Sequence, residues 1–333
     1  MARLPIAVRQ LALASLLSLL AAPACFGWGK AGHKMINRVA AQMLPPDMPA
    51  FLHTPQALDE IEYLGPEPDR WRSPAEPELS ATQAPEHFLD IELADMAAPE
   101  GLPPQRFDFL RDLYAAELLH PPLAARLTPQ TVGLLPWQAN EVFERLKADM
   151  RQYRSRLADH RDTRPVEQAI LYDAGWLGHY VADGSQPLHT TVNYNGWVEP
   201  DNPEGFTRDH GIHSQFESEF VEKNIKAADV QPLVPAAPRL LGSSFQDFLS
   251  YLRSTHRQVA ETYRLEKQGA FNGHGTAESR TFTAERMAAG ATMLRDMIYT
   301  AWIQSAQPVP DRQDRPQLPV PGNGKPASVN PVR

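Results

Sequence analysis

The sequence predicts an all-α fold, a single mainly helical domain with long loops. Three observations carry that expectation. Apolar residues recur at three- and four-residue steps through the body of the chain, the spacing of one face of a helix. Strand-like alternation is scarce. No internal repeat or linker divides the body, and at 333 residues and 42% hydrophobic the chain is long and apolar enough to bury a full core.

The elements follow in chain order. Residues 1–27 read as a secretory signal peptide, with Arg3 and Arg9 as the basic start and Leu11 to Ala22 as a short apolar stretch. That stretch is too short to cross a bilayer as a helix. Cys25 and Gly27 give the small-x-small pattern that places cleavage before Trp28. Ala22-Pro23-Ala24 is a poor lipidation context, so secretion is favoured over a lipoprotein anchored through Cys25. The mature protein is then secreted or periplasmic.

Ile36, Val39, Ala40 and Met43 mark a helix near the mature start, with Trp28 expected at the edge of the fold. Trp137 to Arg154 is a second helix, and Val166 to Asp183 a third that opens after Pro165. Phe245, Phe248, Leu249, Leu252, Val259 and Tyr263 form one stripe, started by a capping box of Ser243 and Gln246. Met287, Ala291, Leu294, Ile298 and Trp302 repeat the pattern in the last helix. Pro66 to Pro85 and Tyr194 to His210 read as long loops, and loops of that length in a compact domain are more often functional than idle. From Ser305 onward there are seven prolines in 29 residues, so residues 307–333 read as a disordered tail and residues 28–306 as the working domain.

Charge and cysteine content narrow the chemistry. With 32 Lys+Arg against 40 Asp+Glu, the net charge of -8 excludes nucleic-acid binding by bulk charge. Phosphate esters stay open as substrates, because metal ions supply positive charge locally. A single cysteine excludes a disulfide scaffold and a thiolate zinc site.

Histidines with carboxylates carry the rest. His179-x3-Asp183 falls inside a predicted helix, where four-residue spacing puts both side chains on one face. His189 follows six residues later, after Pro187 has ended that helix. His213-x3-Glu217 is a second pair at helical spacing, and His33, Asp69 and His87 precede them. A borderline cation such as zinc takes imidazole nitrogen and carboxylate oxygen, and a cluster of this size has room for more than one ion. A lone His/Asp pair on a helix is ordinarily a surface ion pair. Two such pairs plus His189 within about 40 residues weigh against that reading. His53, His120, His160, His256 and His274 have no partner of this kind in sequence and are taken as ordinary residues, with His210 as a supporting group at most.

Trp28-Gly-Lys-Ala-Gly-His33, Asp69-Arg-Trp-Arg72, His87-Phe-Leu-Asp90, His179-x3-Asp183-x5-His189 and His213-x3-Glu217 occur in that order. Together they resemble the phospholipase C/nuclease P-one superfamily, which comprises secreted, mostly helical trinuclear zinc phosphodiesterases. The resemblance spans Trp28 to about Phe220 and is less specific beyond. It implies three zinc ions. One would be held by Asp69, His87, His179 and Asp183. A second would use the free amine and carbonyl of Trp28, with His33 and the shared Asp183, and a third His189, His213 and Glu217. It further implies a hydroxide held between two ions bridged by Asp183 and attacking phosphorus, a third ion at the leaving oxygen, Asp69 orienting the water, and Arg72 facing the phosphate. An α-amine deprotonates easily beside a metal whereas an amide is a very poor ligand, so activity would await removal of the signal peptide.

Marks of both branches of the superfamily are present. The short Trp28–His33 and His189–His213 spacings are nuclease-like, whereas Glu217 and the adjoining Ser214 resemble the phospholipases. Phe88 would stack a base and Asp90 accept from its edge, although related phospholipases carry a similar tetrad. The expected function is therefore a secreted zinc phosphodiesterase acting on single-stranded DNA, RNA or nucleotides. The alternatives are a zinc-dependent phospholipase C and, from another class, a secreted zinc-binding protein without turnover. No protein partner is implied.

Overall fold

A computed structural model describes residues 28–309. The expected signal peptide, Cys25 and residues 310–333 of the expected tail lie outside the described residues. Helices dominate, and among the described residues no strand forms beyond one isolated bridge between Tyr194 and Gly196. The longer helices are α1 (Gly29–Gln42), α2 (Pro55–Leu64), α3 (Arg106–Leu119), α4 (Leu135–Ala158), α5 (Arg164–Asp183), α6 (Ser244–His256), α7 (Val259–Lys267) and α8 (Ala277–Gln304). The expected helices thus form, and Ser243 caps α6 by accepting from Gln246 N. No helix among the described residues is long and apolar enough to cross a membrane.

Helix α5 is the centre of the domain. It packs on α1, α2, α4 and α8, so its C-terminal half, Ala174 to Asp183 apart from Trp176, is buried on every side. Close approach requires small residues there. A Cβ on Gly175 would lie 2.5 Å from Leu64 Cβ, and one on Gly178 would lie 2.0 Å from Asn37 Oδ1. Asn37, wholly buried on α1, ties the crossing together by donating from Nδ2 to Ile61 O of α2 and Gly175 O of α5, each at 2.9 Å. One turn from these contacts, His33 of α1 and His179 of α5 stack with ring centroids 4.1 Å apart. The helix crossing therefore sets two candidate ligands face to face.

Three expectations change. Trp28 is not at the edge: its side chain is 0% exposed, meets Phe216 edge-on at 5.2 Å and donates from Nε1 to Ser185 Oγ at 2.6 Å. The Pro66–Pro85 segment is not a plain loop. It holds helices Glu67–Arg70 and Pro77–Gln83 and leads into the 3₁₀ turn Ala84–His87, with a proline in the first turn of each. Proline there starts a helix, because its missing N–H would be unpaired in any case. The single stripe from Phe245 to Tyr263 is two helices, parted at Arg257 and Gln258 where Gln258 N turns back to Thr255 O at 2.8 Å. The Tyr194–His210 segment is irregular as expected. It is pinned by side chains: Asn193 Oδ1 accepts from Val198 N, Arg208 donates to Trp197 O and Glu199 O, and Tyr263 Oη donates to Asn193 O.

Where α4 and α5 pack, Asp173 is buried beside Asp149 and hydrogen-bonded to it. Burial first, and then the like charge of Asp149, push the Asp173 carboxyl up to about 7. The folded chain then holds a proton that the unfolded chain releases near pH 4, so this site loses stability as pH rises from about 4 to 7, and the loss is complete above. Asp173→Asn removes the ionisation while keeping a hydrogen-bonding group. We expect its Tm to exceed that of the parent by a few degrees near pH 8 and to match it near pH 4, read by circular dichroism. An unchanged or lower Tm near pH 8 contradicts the assignment.

Candidate metal centre

Several segments deliver candidate ligands to the buried end of α5. Helix α1 brings His33, the short helices before α3 bring Asp69 and His87, and the chain after α5 brings His189 in the 3₁₀ turn Pro187–Thr190. His213 and Glu217 come from the turn Ile212–Ser214 and the π-helical turn Gln215–Phe220. Their pairing was expected on a regular helix. The wider π turn carries it instead, with His213 Nε2 and Glu217 Oε2 2.6 Å apart.

The donors converge in three buried groups: His33, His179 and Asp183; Asp69, His87 and His179; and His189, His213 and Glu217. In each, one nitrogen or oxygen per residue lies within 4.8 Å of the others, so each group could hold a metal ion. Every expected side-chain ligand is present. The grouping differs from the expected one: Asp183 was to be shared between the first two sites, whereas here His179 belongs to both groups and Asp183 only to the one with His33. Asp183 Oδ1 lies 3.4 Å from His33 Nε2, and its Oδ2 lies 3.3 Å from His179 Nε2. One carboxylate thus faces two imidazoles with separate oxygens, as a bridging ligand would.

Backbone carbonyls set the tautomers. Nδ1 of His87 bonds Gln83 O at 2.8 Å, that of His179 bonds Gly65 O at 2.8 Å, that of His189 bonds His87 O at 2.7 Å, and that of His213 bonds Tyr194 O at 3.0 Å. A carbonyl only accepts, so each of these Nδ1 atoms carries a proton, and the Nε2 atoms of His87 and His179 turn a lone pair inward, while those of His189 and His213 lie 3.1 Å apart and His213 Nε2 also meets Glu217. This is the arrangement by which outer partners orient metal-binding imidazoles. Six inward atoms lack protein partners. His33 Nε2, His87 Nε2, His179 Nε2, Asp69 Oδ1 and both Asp183 oxygens are buried with no hydrogen bond. Native interiors rarely leave such groups unpaired, and six converging ones call for cations. The donor set fits zinc, which accepts imidazole and carboxylate together.

The electrostatics agree. Burial, opposed in part by His179 and reinforced by Asp183, pushes Asp69 up to about 7. Asp183 also rises to about 7 through burial, with His189 and Arg72 opposing. Burial lowers His179 to about 4 and holds His33 and His87 well below the ordinary histidine value. For His213 burial is again the largest single influence, but the charge and hydrogen bond of Glu217 outweigh it and the net shift is upward. Without added positive charge the pocket favours neutral imidazoles and protonated acids, and a bound cation would reverse that preference for the carboxylates.

Trp28 contributes no side-chain ligand. It precedes α1, and its carbonyl accepts from Gly32 N at 3.2 Å. Arg72 reaches the centre, with Nη1 3.6 Å from Asp69 Oδ1. Phe88 is half-buried against Gly133, where a Cβ would fall 2.8 Å from its ring. Asp90 is 8% exposed and lines a cavity of about 280 Å³ with Arg126, Thr131, Val192 and Val198. Leu89 N donates to His189 O at 3.0 Å, which seats this cavity beside the third group. Burial and then Glu92 push Asp90 up to about 8, so near neutrality it can donate as well as accept, not only accept as the sequence implied.

Sequence reasoning missed two supports. His256 reads as ordinary in sequence, yet its Nδ1 bonds at 2.8 Å the carbonyl of Thr190, next to His189 in the chain, and its Nε2 lies 3.9 Å from Glu92. Glu86 was not singled out; it is buried beside His87 and paired with Arg106 at 3.1 Å. Neither has a spacing signal, since each partner lies far away in sequence.

Neither a family model nor a curated protein matches this chain. Fold and site thus define the class directly: a mainly helical domain whose core holds three groups of side chains that could bind metal ions, two of them sharing His179.

Because His179 belongs to two groups and Glu217 to one, His179→Ala should release more metal than Glu217→Gln. Elemental analysis of zinc-loaded, exhaustively dialysed protein reads the difference. Equal metal content in the two variants would show that His179 is not shared.

Proposed function

We propose that this protein is a zinc-dependent phosphodiester hydrolase whose substrate is single-stranded nucleic acid or nucleotides. The observation that carries the reading is the set of six buried, unpaired ligand atoms converging around His179 and Asp183. A purely structural cluster would satisfy those atoms from within. Zinc ions would be held by His33, His179 and Asp183, by Asp69, His87 and His179, and by His189, His213 and Glu217. When bound they supply positive charge that lowers the pKa of water and stabilises charge developing on phosphate oxygens.

The remaining roles belong to the chain. Asp69 Oδ1 has no hydrogen-bond donor of its own and is placed to orient the attacking water. Arg72, beside it, meets a phosphate oxygen as a fixed cation in a site that partly excludes solvent. Phe88 offers a face for stacking, and Asp90 reads a base edge from the adjoining cavity. Removal of residues 1–27 on export would free the amine of Trp28, directly before α1 and five residues before His33. That amine and the Trp28 carbonyl would complete the group around His33 and Asp183.

A second reading, phospholipase C, is favoured by one feature. Phe107, Leu118 and Leu119 on α3 are 84%, 81% and 76% exposed, and Arg106 anchors that helix to Glu86 beside the centre. Exposed apolar side chains on that helix suit a lipid surface.

Purified mature protein should cleave single-stranded DNA and RNA, lose that activity with chelator, and leave phosphatidylcholine intact. Cleavage of the lipid alone selects the second reading, and no turnover of any of the three selects a binding protein. In the active enzyme, Arg72→Ala should lower kcat by ~100-fold, the scale of losing one preorganised charge at the transition state, with metal content unchanged. One extra Met before Trp28 should cost ~100-fold as well, through loss of one metal. Full activity with the extension verified by mass spectrometry would remove Trp28 from the ligand set.

A further inference from the structure

A second cavity, of about 540 Å³, lined by none of the candidate metal ligands, lies between α8, Tyr251 of α6 and the segment Leu233–Arg239. On α8 the residues Glu285, Ala289, Thr292, Met293 and Asp296 fall at three- and four-residue steps along one stripe, so a single helix face makes its floor. Small side chains at Ala288 and Ala289 leave the space.

The opposite wall is fixed. Arg295, 1% exposed, donates to Pro235 O and to Ala237 O and pairs with Asp296 at 2.7 Å. Asp296 also accepts from Arg239 N at 3.1 Å, and Leu241 N bonds Thr300 Oγ1 at 3.0 Å. Such a wall is preorganised and does not need to order when a ligand enters.

The charges in this cavity are unevenly spent. Arg239 is paired with Asp247 at 3.0 Å, and Asp296 with Arg295. Thr292 Oγ1 donates to Ala288 O, and Tyr251 Oη to Val181 O. Arg286 has no such outlet. Among the described residues it makes no ion pair and no hydrogen bond, and its Nε is shielded from solvent without an acceptor. Its one ring contact, with Phe282 at 5.9 Å, is at the far limit of a cation–π interaction. Glu285, next to it in sequence, also lines the cavity but forms no ion pair with it among the described residues. A guanidinium with open donors, set in a cavity with apolar walls, is a receptor for an oxyanion carried on an apolar body.

We propose that this cavity binds a small organic anion, a carboxylate or phosphate group seated on Arg286 and its apolar part against Tyr251, Ala289, Met293 and Leu233. The site is separate from the hydrolytic reading and stands or falls without it.

Fluorine NMR of the zinc-loaded protein tests the assignment with three probes of one shape: 4-fluorobenzoate, 4-fluorophenylphosphonate and the neutral 4-fluorobenzamide. Both anions should bind with a Kd of about 1 mM, within reach of one charge-assisted contact plus one buried ring. The amide should bind at least about tenfold more weakly. Whichever anion binds more tightly names the natural headgroup as carboxylate or phosphate. Arg286→Gln should weaken both anions about tenfold, and Ala289→Leu, which fills the cavity without touching the charge, should exclude all three probes. Folding of each variant is checked by circular dichroism and metal content. Equal binding of amide and anions, anion binding that survives both substitutions, or anion binding that disappears only with chelator would overturn the proposal. So would the absence of binding by any probe up to about 10 mM.

Discussion

Asp183 sits at the end of α5 with no exposed surface and no hydrogen bond to either oxygen, between the Nε2 atoms of His33 and His179. Around it lie four more inward ligand atoms in the same condition. Leaving a buried polar atom unpaired costs about 1–3 kcal/mol, and six of them would consume most of the roughly 5–15 kcal/mol by which a domain is stable. The interior therefore presupposes something that neutralises carboxylates and accepts from imidazoles at once. Metal ions do both, and a site of this kind couples their binding to folding.

The rest of the fold is arranged so that this burial can happen. Glycines at 175 and 178 let α2 and Asn37 approach α5 more closely than any Cβ would permit. The same approach brings Gly65 O within 2.8 Å of His179 Nδ1, so one packing decision fixes a helix crossing and a tautomer together. His189 repeats the device, with Nδ1 held by His87 O while Leu89 N returns a bond to His189 O. His179 and His189 are thereby oriented by the backbone of another candidate ligand's segment. Trp28 closes the assembly by packing on Phe216, one residue before Glu217, which explains why its side chain lies inside the core.

Much of this was legible in the sequence, and the limits are physical. Helical periodicity located α1, α4, α5 and α8 because their buried faces repeat along the chain. The ligand pairs were visible because four-residue spacing survives even when, at His213 and Glu217, the local structure is a π turn. The short helices within Pro66–Pro85 were hidden because their prolines look like breakers, and only the three-dimensional path shows them at first-turn positions. His256, Glu86 and the carbonyl partners of the imidazoles left no local trace, since their contacts join residues far apart in the chain. The sharing of His179 between two groups is likewise a matter of distance, which spacing does not encode.

The cavity beside the third group bears on the choice of substrate. A phosphatidylcholine headgroup presents a quaternary ammonium, which is bound best by an ionised carboxylate or an aromatic cage. Here burial and then Glu92 push the Asp90 carboxyl up to about 8, and Arg126 lines the same cavity as a fixed cation. Both features disfavour an incoming ammonium. A nucleobase asks for the opposite: a neutral group that donates and accepts along one edge, as Asp90 does while protonated, with Thr131 lining the same cavity. The exposed apolar side chains of α3 pull toward lipid, but they lie outside the cavity and touch no ligand of the metal groups. On the proposed hydrolytic reading, selectivity is set where the headgroup or base would sit, and there the polarity favours a base.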